Sequence, residues 1–511
     1  MAKIKSVLNQ ELVPQELTIE SIACFKLPGV HIIGLPAKEV FEAKERILAA
    51  FVSEGISLPK KRYTISLSPG DVKKTGTELD LPMALSLLSQ TNKNPLGNAS
   101  VMASGELALD GRISATCQPF RLVYQAFQSE SDLILVSIDS KKEIENALFE
   151  ISSQLFKIKS IPMVLYLDKV SDIYIRRPRP FRMKNRLPTP ANISRPHPSS
   201  VLLTPYLKRT GLIAVAGYHH CLLLGPRGTG KTQCAEWLTS LRKQLDPPIN
   251  ITQRLISELD PRSRYKISDR QHTPYRIAST SIRPQALTGS YKNSQLLPGE
   301  LIKAHDGVLV ADEYPEWSRD SREILRESLE SRKTTISQVR GGGTFPSCYQ
   351  FFGTGNLCPC GGVPPQYRAP DEDKSCSHCT DGRNNKYLNR ISAPVIDRID
   401  LVAVIKNQKK KSPPIINDHQ NNAIDAIKQS QKIQIDQYGC LSGFLDSNLL
   451  QAIKANLHQD SKAILDSCTS YRSHNQLLKV ALTIASLAGR TESTPEDFIE
   501  AYGYRPEAHQ L

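Results

Sequence analysis

The sequence lacks the features of a membrane or secreted protein. No apolar run approaches the roughly 18 residues that a membrane-spanning helix needs, and residues 1–5 do not begin the apolar core of a signal peptide. We find no internal repeat. The eleven cysteines are too few in a chain of 511 residues to form a secreted disulfide scaffold. These absences predict a soluble, cytoplasmic protein with no membrane partner.

Acidic residues are in the minority. The chain has 65 lysines and arginines against 51 aspartates and glutamates, which gives a net charge of +14 and a pI of about 9.2. This balance favours an anionic partner. Because the basic residues are spread along the whole chain, the charge indicates affinity and not a particular site. A length of 511 residues is typical of about two to four domains, each with its own core.

A phosphate-binding loop is the most informative motif. It follows a short apolar run, residues 221–224, and precedes a helix-compatible segment, residues 233–245. Glycines let the backbone N–H groups point at a phosphate, and the helix N-terminus adds a favourable dipole. A chance glycine-rich turn is the alternative, but it would not need the flanking strand and helix. The sequence therefore predicts an ATP site formed by Gly225, Pro226, Arg227, Gly228, Thr229, Gly230, Lys231 and Thr232.

Catalytic side chains are predicted at the ends of two further strands. Asp312 and Glu313 follow the apolar run 308–311, and Asn356 follows a strand predicted over 349–354. Ligands of open α/β sheets gather at this edge. Lys231 can reach the phosphates, Thr232 and Asp312 suit Mg²⁺, and Glu313 suits a base that polarises the attacking water. An isolated Asp-Glu pair is usually a solvated surface, but four apolar residues before it favour an ATPase.

Two polar segments divide the chain. Residues 176–200 hold six prolines and seven lysines or arginines and predict an extended linker, with a nucleic-acid-binding arm as the alternative. A second break, 406–414, combines lysines with Ser412-Pro413-Pro414. The N-terminal part mixes strand and helix patterns, and the C-terminal part reads as helical. We predict a domain over 1–170, a basic linker over 171–200, a nucleotide-binding core over 201–405 and a helical domain over 406–511.

Four cysteines suggest a structural zinc site. Cys358 and Cys360 precede Cys376 and Cys379 by a polar loop, a spacing that can close a tetrahedron of thiolates, with His378 as a substitute ligand. Buried free thiols, a redox pair, a disulfide and chance proximity are the alternatives. A cytosolic setting disfavours the disulfide, and the polar, proline-containing loop disfavours buried thiols. Zn²⁺ bound here would hold the loop after Asn356 and would leave no open position for water.

The order of the motifs resembles a known family. The core looks like an AAA+ ATPase of the magnesium-chelatase-like group, specifically the bacterial YifB/ComM proteins. The resemblance implies an α/β protein with a Lon-protease-like N-terminal domain, a P-loop core and a C-terminal helical lid. The matching segments are residues 27–36, 225–232, 298–300, 307–313, 354–362 and 387–400, Arg472, and residues 478–480.

The resemblance also implies roles for particular residues. Asn356 resembles the sensor that aligns water with the γ-phosphate. Arg398, or less directly Arg390, resembles the arginine finger that reaches a neighbouring subunit's nucleotide. Arg472 resembles the second sensor of the lid. Surface arginines usually solvate or pair with carboxylates, so these roles depend on the resemblance, which further implies a homo-oligomeric ring, usually a hexamer.

Proteins of this family are implied to be DNA helicases that drive branch migration during natural transformation and homologous recombination. The expected substrate is single-stranded or branched DNA, whose phosphates a basic protein neutralises. Arg340 lies where the family carries a pore hairpin, although a turn with one solvated arginine fits equally. A metal-chelatase-type motor and a chaperone-type ATPase that remodels a protein are the alternatives.

The N-terminal part resembles the Lon-protease-like fold through residues 105–112. Proteolysis there needs a serine nucleophile and a lysine base. The serine position falls on Glu78 and the lysine position on Phe120, so we expect a non-proteolytic module. The sequence departs from the family at Ser279-Thr280, where a histidine pair is typical, and over residues 207–220, which usually help to enclose the adenine.

Overall fold

A computed structural model describes most of the chain, which divides into two units. The first unit takes the described residues within 1–191, 250–270 and 291–297, and the second takes those within 192–249, 271–290 and 298–511. The described residues are 3–91, 94–154, 160–181, 203–245, 250–260, 274–292, 295–338, 341–362, 387–405, 420–468 and 470–505.

The first unit contains a mixed sheet with the strand order β3-β4-β2-β1-β5-β6-β7 in its described part. β1 and β4 pair with β2 in antiparallel fashion, and the remaining neighbours are parallel. The strands are β1 (Lys3–Leu8), β2 (Gln15–Cys24), β3 (Gly29–Ile33), β4 (Arg62–Ser68), β5 (Ser100–Ser104), β6 (Leu133–Ser137) and β7 (Met163–Leu167).

Four helices between these strands cover the sheet of the first unit, among the residues described. They are α1 (Lys38–Ser53), α2 (Asp80–Leu88), α3 (Pro119–Gln128) and α4 (Lys141–Gln154). α1 buries Val40, Ala43, Ile47 and Ala50, which is the apolar stripe that the 3.6-residue period of the sequence predicts. Short 3₁₀ turns span Thr77–Leu79, Ile138–Ser140 and Val170–Tyr174.

The second unit is built on a parallel sheet with the order β16-β8-β15-β12-β9 in its described part. Each of these strands except β9 is buried along its whole length, because helices cover both faces of a parallel sheet. Alternate residues enter two separate cores: Leu223 and Val310 pack in one, Leu222 and Leu309 in the other. The strands are β8 (Cys221–Leu224), β9 (Tyr275–Ala278), β12 (Val308–Ala311), β15 (Gln350–Gly355) and β16 (Leu401–Val404).

Within the part of the chain that the structure describes, two short strand pairs lie outside the large sheets. β10 (Gly289–Lys292) pairs with β11 (Gln295–Pro298), and β13 (Lys333–Gln338) pairs with β14 (Gly341–Pro346) in antiparallel register. The predicted pore residue Arg340 lies outside the described residues, between β13 and β14.

The remaining helices complete the fold and include the predicted all-helical C-terminal part. The helix Tyr471–Leu487 (α15) buries Leu478, Ala481, Leu482 and Ala485, the apolar stripe that helical spacing of this segment predicts. No helix in the described ranges is both long and apolar enough to cross a bilayer. The helices are α5 (Pro205–Gly217), α6 (Lys231–Leu245), α7 (Ile251–Leu259), α8 (Pro284–Thr288), α9 (Glu300–Lys303), α10 (Arg319–Ser331), α11 (Ala393–Ile396), α12 (Gln420–Tyr438), α13 (Ser447–Ala455), α14 (Gln459–Asp466), α15 (Tyr471–Leu487) and α16 (Pro495–Tyr502).

α7 belongs to the first unit although it follows the phosphate-loop helix in the chain. The Glu258 carboxylate accepts the backbone N–H groups of Phe120 and Arg121 at 3.2 and 3.1 Å, and so caps the N-terminus of α3. Arg254 forms an ion pair with Glu150 at 2.7 Å. These contacts place part of the range 201–405 with the N-terminal sheet, and the four-part division of the chain stays a prediction.

The two positions that a Lon-type protease would use hold other chemistry. The Glu78 carboxylate accepts hydrogen bonds from the hydroxyls of Ser104 (3.1 Å) and Thr116 (3.3 Å) and from the backbone N–H of Cys117 (2.7 Å). Phe120 is buried. A carboxylate that accepts three hydrogen bonds and a buried phenyl ring supply neither a nucleophile nor a base of the Ser-Lys type.

Candidate nucleotide-binding site

The phosphate-binding loop connects β8 to α6, as the sequence predicts. Gly228 and Gly230 have φ angles of +76° and +84°, in the left-handed region that favours glycine. A Cβ at Gly228 would meet no atom within 4 Å, so backbone conformation and not space requires glycine there. At Gly225 the reverse holds, because a Cβ would lie 2.8 Å from the Ile405 side chain. The loop therefore has open space beside Gly228 at its tip and packs closely against Ile405 at its base, beside Gly225.

Lys231 lies at the first position of α6, and its ammonium group points into the loop. Nζ donates to the carbonyls of Gly225 (2.8 Å) and Pro226 (2.6 Å) and lies 3.5 Å from Oδ1 of Asn356. Burial lowers the pKa of Lys231 to about 8, against the opposing effect of the Asp312 and Glu313 charges. The ammonium is therefore mostly charged at neutral pH. A bound phosphate could replace the two loop carbonyls as its hydrogen-bond partners.

The acidic pair Asp312-Glu313 directly follows β12. β12 pairs with β15, which in turn pairs with β8, the strand before the phosphate-binding loop. The Thr354 hydroxyl donates to Oδ1 of Asp312 at 2.7 Å and accepts the backbone N–H of Glu313 at 3.1 Å. Trp317 Nε1 donates to the Asp312 carbonyl at 3.1 Å. Glu313 has a φ of +47° and an exposed side chain. Backbone strain of this kind concentrates at functional sites, where surrounding contacts maintain it.

Thr354 is a site residue that the sequence reasoning missed. Its hydroxyl contacts both acidic residues, whereas the sequence pattern predicts only Asn356, which follows this strand, as a site residue. A signal was present: the period of two along an extended chain puts Thr354 and Asn356 on the same side, and Thr354 is the one hydroxyl-bearing residue of the buried strand Gln350–Gly355.

Strand register brings these groups to one edge of the sheet. Gly355 pairs with Leu224 and Gly353 pairs with Ala311, so the residues that follow β8, β12 and β15 emerge side by side. Asn356 is buried at 6% exposure. A cation, two carboxylates, a hydroxyl and an amide therefore surround the mouth of the glycine-rich loop, which suits a phosphate ester and a divalent cation.

Arg398 and Arg472 meet at a different place, on one carboxylate. Arg398 Nε donates to Oε2 of Glu330 at 3.0 Å, and its second guanidinium nitrogen contacts the same oxygen. Arg472 donates to Oε1 of Glu330 at 2.6 Å. The three side chains line a cavity of about 340 Å³, and none of residues 225–232 lines it. The hydrogen bond from Arg398 lowers the pKa of Glu330.

Arg390 takes a third position, apart from Glu330. Its guanidinium forms an ion pair with Glu316 at 3.1 Å and stacks over the Tyr387 ring at 5.2 Å. Glu316 belongs to the 3₁₀ turn Tyr314–Glu316, which follows Glu313. The two arginines considered for the finger therefore lie in different surroundings, and only Arg398 shares a partner with Arg472.

Two of the four predicted zinc ligands are described. The sulfur atoms of Cys358 and Cys360 lie 3.1 Å apart, with Cys358 buried and Cys360 exposed. Cys376, Cys379 and the substitute ligand His378 lie outside the described residues. Within the described ranges, no three histidine, cysteine or acidic side chains are grouped to hold a metal ion.

Comparison with known proteins agrees with this geometry. A family described as "Magnesium chelatase, subunit ChlI" matches residues 201–412, and one described as "Subunit ChlI of Mg-chelatase" matches residues 19–140. The chain belongs to the magnesium-chelatase-like family of the YifB/ComM proteins. This confirms the predicted membership, and the α/β fold with a parallel-sheet core and a helical C-terminal region is the one expected of such an AAA+ protein.

Relatives match along nearly the whole chain. Competence protein ComM of Haemophilus influenzae is 28% identical over 96% of this chain and 94% of its own length. The YifB proteins of Salmonella typhimurium and Escherichia coli are also 28% identical, over 96% of this chain and 94% of theirs. The family suggests an ATPase that uses ATP and Mg²⁺ and assembles into oligomers.

Proposed function

We infer that this chain is an ATP-hydrolysing AAA+ ring motor that acts on single-stranded or branched DNA. The observation that carries the ATPase part is the convergence of Lys231, Asp312, Thr354 and Asn356 at one edge of the parallel sheet. The inferred location is the cytoplasm.

The donor set fits Mg²⁺ together with a nucleotide. Thr232 and Asp312 would hold the cation, because a hydroxyl and a carboxylate are the oxygen ligands that it prefers. Bound Mg²⁺ would neutralise charge on the β- and γ-phosphates. The eight residues 225–232 would bind the phosphates through backbone N–H groups, with Lys231 as a point charge.

The proposed chemistry of the protein is positioning and proton transfer. Glu313, exposed at the end of β12, would accept a proton from the attacking water. Asn356 would orient that water, and Thr354 would fix the direction of the Asp312 carboxylate through its 2.7 Å hydrogen bond. Because hydrogen bonds already orient the side chains of Asp312 and Asn356, these two groups would need little reorganisation in the transition state.

Arg398 and Arg472 would act on the nucleotide of a neighbouring subunit. Their shared cavity contains no residue of the phosphate-binding loop, which favours a second copy as the source of the anion. Arg398 is preferred over Arg390, because Arg398 shares the Glu330 carboxylate with Arg472, whereas Arg390 pairs separately with Glu316. An active site shared between subunits favours a closed ring, and the hexamer is the proposed form.

DNA is the proposed substrate because two independent features favour it. The net charge of +14 suits a polyanion, and the relative ComM of Haemophilus influenzae is named for competence. The proposed activity is branch migration during natural transformation and homologous recombination. Arg340, between β13 and β14, is the proposed contact with the DNA backbone. The Lon-protease-like part is proposed to be a non-proteolytic module, and the C-terminal helices a lid.

The test is branch migration on a mobile four-way DNA junction, with and without ATP. The wild-type protein should separate the junction into duplexes only with ATP, and Glu313→Gln should bind the junction without separating it. A mixture of Arg398→Ala and Glu313→Gln should recover part of the ATPase activity, since some interfaces then combine an intact finger with an intact base. Lack of recovery in mixtures that co-assemble would contradict the shared site.

A metal-chelatase-type role is the second candidate, because the matched families are described by magnesium chelatase. A chaperone-type role that remodels a protein partner is the third. ATPase activity that DNA does not stimulate, together with no junction migration, would favour either of these over the DNA motor.

A structural Zn²⁺ bound by Cys358, Cys360, Cys376 and Cys379 is also proposed. The sulfur atoms of Cys358 and Cys360 lie 3.1 Å apart, close enough for one Zn²⁺ to bind both once they separate to the roughly 3.8 Å that tetrahedral ligands about 2.3 Å from the metal require. Metal analysis of untagged protein should give about one zinc per chain, and Cys376→Ser should release it. A zinc content near zero in protein that hydrolyses ATP would contradict this proposal.

A further inference from the structure

Glu330 is the one described carboxylate that both predicted arginines contact. It is the penultimate residue of α10, whereas Arg398 follows α11 and Arg472 is the second residue of α15. Each oxygen of Glu330 takes a different arginine: Oε2 accepts from Arg398 at 3.0 Å and Oε1 from Arg472 at 2.6 Å. Three elements that are far apart in the sequence thus converge on a single carboxylate.

The charges that line the cavity explain why a carboxylate lies between the two arginines. Two guanidinium groups brought to one place repel each other unless an anion lies between them, and a charge-assisted bond to each fixes its orientation. Glu330 supplies that anion. Arg332 and Lys479 add two more cations to the lining, and Asp397 and Asp400 add two carboxylates. With Glu330, four cations face three carboxylates, so the cavity keeps an excess of positive charge suited to an anion.

Exposure separates Glu330 from a purely structural ion pair. The Glu330 and Arg472 side chains are 51% and 44% exposed, and the Arg398 side chain is 8% exposed. An exposed ion pair contributes little to folding stability, about 1 kcal/mol or less. The Glu330–Arg472 pair is therefore poorly explained by stability, and the shared carboxylate is better explained by the orientation that it gives to the two arginines.

We propose that Glu330 is a positioning residue that holds Arg398 and Arg472 together, so that both reach the same phosphate of the neighbouring subunit's ATP. The inference rests on the proposed function, in which these arginines act between subunits. Glu330 itself stays away from the nucleotide, because a carboxylate would repel the phosphate. It acts on the reaction only through the two guanidinium groups.

The test measures ATP turnover of Glu330→Ala and Glu330→Gln under steady-state conditions. We expect kcat to fall by about 10- to 100-fold, the effect of misplacing a catalytic group by about 1 Å. KM for ATP should change by less than about threefold, since each subunit's own loop binds the nucleotide. Glu330→Asp should recover part of kcat, because its shorter carboxylate can still bind one arginine. Glu327→Ala, one turn earlier on α10 where Glu327 accepts from Thr335, should match the wild type.

A double mutant separates positioning from an independent effect. Glu330→Ala in an Arg398→Ala background should add less than about threefold to the loss, because residues that act through one another are not additive. Subunit mixing provides the second readout. Glu330→Ala mixed with Lys231→Ala should regain activity at interfaces that join an intact loop to an intact arginine pair.

The outcomes distinguish this inference from the proposed function. If Arg398→Ala keeps wild-type turnover, the intersubunit finger is wrong and the inference fails with it. If Arg398→Ala loses turnover while Glu330→Ala keeps it, the inference alone is wrong. A rise in kcat for Glu330→Ala would also overturn it, since Glu330 would then mask the arginines. ATP binding by Glu330→Gln, measured by titration calorimetry, establishes that the variant is folded.

Discussion

The Thr354 hydroxyl should control both the stability and the turnover of the ATPase site. Thr354 is buried at 2% exposure, and its two hydrogen bonds reach the charged Asp312 carboxylate and the Glu313 N–H. Thr354→Val keeps the shape of the side chain and removes both bonds. A bond to a charged group contributes about 1.5–3 kcal/mol and a bond between neutral groups about 1 kcal/mol. The free energy of unfolding of the second unit should therefore fall by about 2.5–4 kcal/mol.

The matched control is Thr354→Ser, which keeps the hydroxyl and loses one methyl group. Its cost should be about 1 kcal/mol, the value of one buried methyl. Urea unfolding followed by circular dichroism measures both variants. Turnover should separate them further: kcat should fall about tenfold or more in Thr354→Val, because Asp312 loses the bond that orients it, and stay near wild type in Thr354→Ser. Equal stability and turnover in the two variants would refute the reasoning.

Three other predictions concern the nucleotide-binding site and the binding of DNA. Lys231→Ala should weaken ATP binding, whereas Glu313→Gln should keep binding and lower hydrolysis by about 100-fold or more. Fluorescent-nucleotide titration measures the binding, and phosphate release measures the hydrolysis. Unchanged hydrolysis in Glu313→Gln would contradict the role of Glu313 as the base. Burial lowers the pKa of Lys231 to about 8, and it is the protonated amine that binds phosphate. ATP affinity should therefore fall as pH rises from 7 to 9, by up to about tenfold per pH unit above the pKa. Lys231→Ala should lose this pH dependence. DNA affinity should fall by roughly 10³ between 50 and 200 mM salt if about six to ten phosphates are contacted, and a flat profile in a filter-binding assay would contradict a phosphate-contacting interface.

The sequence by itself determined the elements whose residues are buried on all sides or whose backbone is constrained locally. The apolar runs 221–224 and 308–311 are β8 and β12 with the same bounds, because a strand buried on both faces must be apolar throughout. The glycine-rich loop was equally predictable from the sequence, since Gly228 and Gly230 need left-handed backbone angles that glycine adopts readily.

The tertiary structure alone decided which distant residues share a partner. Nothing local in the sequence connects Glu330 to Arg398 and Arg472, 68 and 142 residues further along. The same is true of α7, whose Glu258 caps α3 in the first unit across 138 residues of chain. Local patterns report burial and backbone angles, whereas the pairing of charges depends on which elements fold against each other. The arginine pair on Glu330 is therefore a property of the folded chain that no local pattern of residues encodes.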